Sequence, residues 1–273
     1  MAPNPKKLFI GGYTKSGTTF IGRAVGLLNG VYAKGELDYF RLFFGSLGKL
    51  AYGYNQNIEV VNREVYDGRG ELEPLTNESV RSLHDKIFAH IFFAGQDIPD
   101  DCKVIAEKSP RNIDWVRSIK AAFPDALNMC VYRDPKPVFR SMLRHMADHR
   151  SSDYFDPQTH NRRALLANFC EYWPPYLQQI EDRRRNLIMV RYHTAADDNA
   201  AFLDFAESLL FKEKVGLKAP VETLSKEHYL QSLPEEARAK SLVQLDNGKI
   251  TLTAEEEKKI DSLCHAPNVS FDF

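Results

Sequence analysis

Apolar runs of strand length recur at 8–10, 104–106, 127–132 and 187–192, and helical patterns fill the stretches between them. This alternation constrains the fold most. Strands joined by helical crossovers pair in parallel and bury both faces only inside a sheet with helices on each side. A shorter run at 31–33 reads as a fifth strand. The expected architecture is therefore α/β: three layers, a mostly parallel central sheet flanked by helices, and a P-loop-like start. Helices are expected over 18–28, 78–94, 113–122, 137–148, 163–184, 199–210 and 254–263. The last carries a capping-box pattern, Thr253 with Glu256. Pro137 suits the first turn of its helix, and Pro124 ends the helix before the 127–132 strand.

The first strand runs into the turn Gly11-Gly12-Tyr13-Thr14-Lys15-Ser16-Gly17 and then into a helix starting near Thr18. Backbone N–H groups and the positive end of a helix dipole converge at such a turn, which suits phosphate or sulfate. A nucleotide triphosphatase loop reads G-x-x-x-x-G-K-[ST]. Here Gly12 and Gly17 keep that spacing, but Thr18 stands where the lysine belongs, and the lysine sits inside the loop at Lys15. The hydroxyl that would ligate Mg²⁺ has lost its lysine neighbour, so the loop fits an anion site better than a standard ATPase.

The chain has 273 residues, enough for a substantial core, with expected lid or substrate segments at 45–75 and 149–161 in one domain spanning 1–273. A net charge of −1 argues against a general nucleic-acid binder. Local basic clusters stand at Arg140/Arg144/Arg150, Arg162/Arg163 and Arg183-Arg184-Arg185, the last reading as a solvated face. The four cysteines have neither zinc spacing nor a C-x-x-C pair, which suits free thiols in a reducing compartment; Cys130, in an apolar run, reads as core. The N-terminus has no secretory apolar region and no run is long enough to span a bilayer, so a cytoplasmic location is expected.

A second anion site is encoded at Val131-Tyr132-Arg133-Asp134-Pro135-Lys136-Pro137-Val138-Phe139-Arg140-Ser141. Arg133 ends a strand, and Ser141 follows on the second turn of a helix. Guanidinium and hydroxyl together suit another phosphate. With both sites present, the chain resembles the sulfotransferases that use 3′-phosphoadenosine-5′-phosphosulfate (PAPS), in particular the carbohydrate (heparan-type) and bacterial branch. The resemblance rests on scattered blocks over 8–210. Lys15-Ser16-Gly17-Thr18-Thr19 matches the family's 5′-phosphosulfate loop. Arg133 and Ser141 match its 3′-phosphate element. Glu107-Lys108-Ser109-Pro110 looks like its E-K-[ST]-P segment. Val190-Arg191-Tyr192 is similar to its V-R-Y-E segment, whose tyrosine lies near the adenine. Lys34-Gly35-Glu36-Leu37-Asp38-Tyr39-Phe40 resembles the K-E-x-H-[FY]-F segment, with Asp38 in place of the histidine and Gly35 inserted before the glutamate.

What the resemblance implies is transfer of a sulfuryl group from PAPS to a hydroxyl or amine, leaving 3′,5′-adenosine bisphosphate, with no metal required. Lys15 would neutralise the leaving oxygen, Lys108 would touch the sulfuryl or acceptor, and Glu36 would take the acceptor proton. Ser16, Gly17, Thr18, Thr19, Arg133, Ser141 and Tyr192 would hold the donor. Glu107, His84, His90, His145 and His149 are rival bases, His145 the best placed of the histidines, one turn after Ser141. The acceptor is a small molecule or a carbohydrate; Trp173 and Tyr176 are compatible with sugar stacking but read better as core. The heparan branch's late R-K-G loop has no counterpart between Lys212 and Asp261, where Asp246-Asn247-Gly248-Lys249 is a poor substitute. Two other readings remain at this point: a small-molecule kinase using ATP and Mg²⁺, and a non-catalytic module on a nucleotide fold.

Overall fold

A computed structural model describes residues 4–225 and 250–273. Its centre is a five-stranded sheet of β1 (Lys6–Gly12), β2 (Val31–Gly35), β3 (Val104–Lys108), β4 (Leu127–Tyr132) and β5 (Ile188–Arg191), in the order β2-β3-β1-β4-β5. All four pairings are parallel, with Ile10 opposite both Lys108 and Met129. The central strand, β1, is the one that feeds the glycine turn. Its two neighbours continue to opposite sides, and that switch opens a crevice at the strands' carboxyl ends.

Side-chain alternation assigns the two faces. Leu8 and Ile10 on one side join a core with α1 (Thr18–Gly26), α7 (Tyr192–Asp197) and α8 (Asn199–Leu210), through Ile21, Val25, Ala195, Phe202 and Leu210. Phe9 on the other side packs 5.4 Å from Phe88 of α3 (Asn77–Phe92) and 5.7 Å from Phe123, just past α4 (Val116–Ala122). On that same face Cys130 and Tyr132 meet α5 (Pro135–His149), α6 (His160–Arg183) and α9 (Ala254–Leu263). Cys130 is core, as expected, and so are Trp173 and Tyr176. The capping box at Thr253 and Glu256 forms. All four cysteines are free and buried.

Two expectations change. The helix expected over 113–122 begins with a 3₁₀ stretch, Pro110–Trp115. There the Asn112 amide turns back onto the Glu107 carboxylate at 2.6 Å, and Ile113 N crowds Gly11, where a Cβ would come within 2.7 Å. The segment expected to be a loop from 45 is mostly a 20-residue helix, α2 (Gly45–Glu64), preceded by a π-helical turn Phe40–Phe44. Its inward face is Ala51, Asn55, Ile58 and Asn62. Each asparagine holds a backbone carbonyl and N–H of the returning strand of chain, Leu75 and Leu72, at 2.7–3.0 Å. Polar residues on the buried stripe erase the apolar period that would mark it as a helix. The 149–161 segment is braced: its 3₁₀ turn Ser152–Phe155 gives two carbonyls, Tyr154 and Phe155, to the buried Arg162. The comparison segment Asp246–Lys249 lies outside the described residues. No helix among the described residues is long and apolar enough to cross a membrane.

Candidate functional site

Lys108, Glu36, Arg133 and Tyr192 each end a strand of the parallel sheet or follow one directly, so the topology alone brings them to the edge where the glycine turn lies. The turn itself is strained. Lys15 has φ 70° and Gly17 φ 103°. Alternation of this sort turns successive N–H groups inward as an anion nest. Gly17 caps α1 without a side chain, so its first-turn amides meet no capping oxygen. The Ser16 hydroxyl is buried and has no hydrogen-bond partner among the described residues, a donor held ready where an anion would lie.

Gly17 is required for a second reason. A Cβ there would overlap the Tyr192 ring. That ring rests on the loop, and the Arg133 guanidinium lies 4.6 Å from its centroid. Arg133 also donates to the Lys15 carbonyl at 3.4 Å, and its Nε has no partner among the described residues. Burial lowers the Arg133 pKa, the Tyr192 hydroxyl opposes that, and Arg140 adds to it. The glycine turn and the arginine element, 118 residues apart in sequence, thus touch directly.

Beyond Arg133 opens a cavity of about 480 Å³ lined by Pro137, Arg140, Ser141, Arg144, His193 and Thr251. Ser141 and Arg133 share it. Pro137, Arg140, Ser141 and Arg144 recur at i, i+3, i+4 and i+7, one helix face, a signal that the sequence carried within its basic cluster. His193 and Thr251 had no such signal. Thr251 is held there by Arg162, which donates to its carbonyl at 2.8 Å and pairs bidentately with Glu256 at 2.8 Å.

On the other side of the turn, Lys108 Nζ pairs with Glu36 Oε1 at 2.7 Å. Lys108 is nearly buried while Glu36 is 64% exposed. Among the described residues, Oε2 of Glu36 accepts no hydrogen bond. Burial lowers the Lys15 pKa; Glu36 raises it and Lys108 lowers it further, so the three charges form one group. Of the five non-glycine residues with positive φ among those described, three are here: Lys15, Glu36 and Asp38. Such strain, of order 1–3 kcal/mol each, gathers at functional sites.

The rival bases fall elsewhere. Glu107 is buried and receives Asn112 at 2.6 Å and the Leu37 N–H at 3.2 Å. Burial raises its pKa, against those two hydrogen bonds. It ties β3 to the Glu36 segment. His84 is buried against the Tyr39 hydroxyl at 2.9 Å. His145 meets His149 edge to face at 4.4 Å, and its pKa is lowered first by partial burial, then by the Lys15 charge.

A model of the sulfotransferase family matches residues 5–204. Among solved structures, the sulfotransferase domain of the Synechococcus PCC 7002 olefin synthase shares 14% identity over 97% of this chain and 96% of its own, with a TM-score of 0.47. Sulfotransferase STF1 of Mycobacterium tuberculosis H37Rv shares 15% over 96% and 78%, also at 0.47. Sulfotransferase STF9 of Mycobacterium avium shares 16% over 92% and 79%, at 0.37. No curated protein matches the chain.

Proposed function

The chain belongs to the sulfotransferase family, and from that premise we propose that it moves a sulfuryl group from PAPS to a hydroxyl or amine of a small molecule or carbohydrate. The observation that carries this reading is the direct contact of two anion cradles. Arg133 touches the Lys15 carbonyl, lies over Tyr192 and opens into the Ser141 cavity. One elongated ligand with an anionic group at each end suits that arrangement, its 5′ end on the turn and its 3′-phosphate beyond Arg133.

The unpartnered Ser16 hydroxyl and the uncapped amides of α1 fit the 5′-phosphosulfate. Thr18 and Thr19 follow on the same helix turn, and Tyr192 offers a face to the adenine side. PAPS supplies an activated S–O bond. In the transfer that bond breaks towards the phosphate oxygen, and a new bond forms from sulfur to the acceptor's oxygen or nitrogen. Lys15 neutralises the charge left on the departing oxygen, and Lys108 steadies the sulfuryl group. The acceptor proton passes to the free Oε2 of Glu36, whose other oxygen is held by Lys108. These side chains bind, orient and move one proton, and no metal enters that scheme. We read the chain as one sulfotransferase unit, and its free buried thiols fit the cytoplasm.

A thermal-shift comparison tests the reading. 3′,5′-Adenosine bisphosphate should raise the melting temperature and ATP with Mg²⁺ should not. Sulfate transfer from PAPS should follow in a mixed-acceptor assay. Unaltered bisphosphate affinity in Arg133→Ala would remove the second cradle from the scheme.

A further inference from the structure

A second cleft of about 300 Å³ adjoins the glycine turn and is lined by none of the Arg133 element. One wall is Gly12-Tyr13-Thr14, ending one residue before Lys15; another is Pro110-Arg111, beginning two residues after Lys108. Consecutive Cα atoms are 3.8 Å apart, so the backbone of the cleft's first two walls runs directly into Lys15 and follows closely on Lys108, although neither side chain lines it. Its third wall is α6, with Tyr172 and Gln179 seven residues apart on one face.

The lining has a specific chemistry. Tyr13 is fixed by edge contacts to Phe169, Trp173 and Tyr176 at 5.0–5.6 Å, and burial pushes its hydroxyl up to about 12. Tyr172 is 62% exposed and stacks on no aromatic ring among the described residues. Arg111 leans on Asp114 at 3.6 Å. Burial raises the Asp114 pKa, with Arg111 and Arg183 opposing. The Gln179 carbonyl takes Arg183 at 3.2 Å, which leaves its NH₂ as a donor. The cleft thus offers one aromatic platform and three planar polar groups: a guanidinium, a carboxylate and an amide.

Resting on the sulfotransferase reading, we propose that this cleft is the acceptor subsite and that the acceptor is a hydroxylated saturated ring, a monosaccharide or cyclitol unit. Vicinal hydroxyls match in-plane groups that both donate and accept, and the apolar face of such a ring covers Tyr172. A flat phenol or an alkyl alcohol brings no pair of adjacent hydroxyls to meet the Asp114 carboxylate and the Gln179 NH₂ together. The volume is at the small end for ligand pockets, room for one ring rather than a chain of them.

The test uses the whole chain and a panel of methyl glycosides of glucose, galactose and N-acetylglucosamine, myo-inositol, 2-naphthol and 1-octanol. Saturation-transfer NMR reads binding without turnover. At least one of the cyclic polyols should bind, and Tyr172→Ala, an exposed change, should weaken it about tenfold, the loss of one aromatic contact. Asp114→Asn should weaken the same compound, while both variants keep the wild-type affinity for 3′,5′-adenosine bisphosphate. In the transfer assay the acceptor KM should rise in parallel. The proposal is overturned if no polyol binds, if only naphthol or octanol does, or if Tyr172→Ala binds the polyol like wild type. Polyol binding without PAPS turnover would fail the transferase reading and, with it, the cleft's acceptor role, while leaving its ring specificity standing.

Discussion

Replacing Arg162 by methionine should cost the fold about 3–5 kcal/mol, the usual loss when one partner of a buried ion pair is removed. The arginine is 1% exposed and Glu256 8%. It spends Nε and Nη2 on Glu256 and donates as well to the carbonyls of Tyr154, Phe155 and Thr251. Without it, the Glu256 carboxylate keeps only the Thr253 N–H, at 2.8 Å. At about 2–4 °C per kcal/mol for a chain of this size class, Tm falls by roughly 6–20 °C. Burial pushes the Glu256 carboxyl up, but Arg162 and the Thr253 N–H outweigh it, so its folded pKa lies below the ordinary value. Its contribution is therefore present above the unfolded value, about 4.3, and is lost as pH falls through the lower folded one. In the variant burial acts unopposed by Arg162, and protonation relieves the carboxylate as pH falls. The stability gap between the two proteins should thus be widest at pH 7 and narrow towards pH 4, as read by urea unfolding at both. A loss under about 1 kcal/mol, or a gap that widens in acid, would refute the reasoning. Thr251 hangs from the same guanidinium, so bisphosphate affinity should drop as well.

Lys15→Ala should lower kcat by about two to three orders of magnitude, the loss typical of one transition-state donor; steady-state turnover with PAPS checks it, and a change under threefold removes Lys15 from its role. Burial already lowers the Lys15 pKa and Glu36 opposes that, so Glu36→Gln should move the alkaline limb of kcat/KM to lower pH as well as slowing transfer. A limb that stays put or moves up would separate the two charges. Gly17→Ala sets a methyl against the Tyr192 ring at φ 103°; calorimetric titration should show bisphosphate binding lost or weakened at least tenfold, with α1 still helical by circular dichroism.

The sequence by itself determined the layers and most of the elements. Strand-length apolar runs and helical patterns are local, and so β4, α8 and α9 fall where their patterns end. It also marked Lys15, Arg133 and Ser141 as candidates, because glycine, cation and hydroxyl spacing beside a strand end is written in consecutive residues, while Lys108 came from a resemblance to a family segment. Helix α2 was hidden, since the face it buries is half asparagine and its partners, Leu72 and Leu75, are backbone. Only the tertiary structure decided which charges meet. Lys108 found Glu36 across 72 residues, Arg133 found the Lys15 carbonyl across 118, and Arg162 drew Thr251 to the Ser141 cavity across 89. The physical reason is that a parallel sheet delivers every strand end to one edge, whereas nothing in a local pattern records which end will stand beside which.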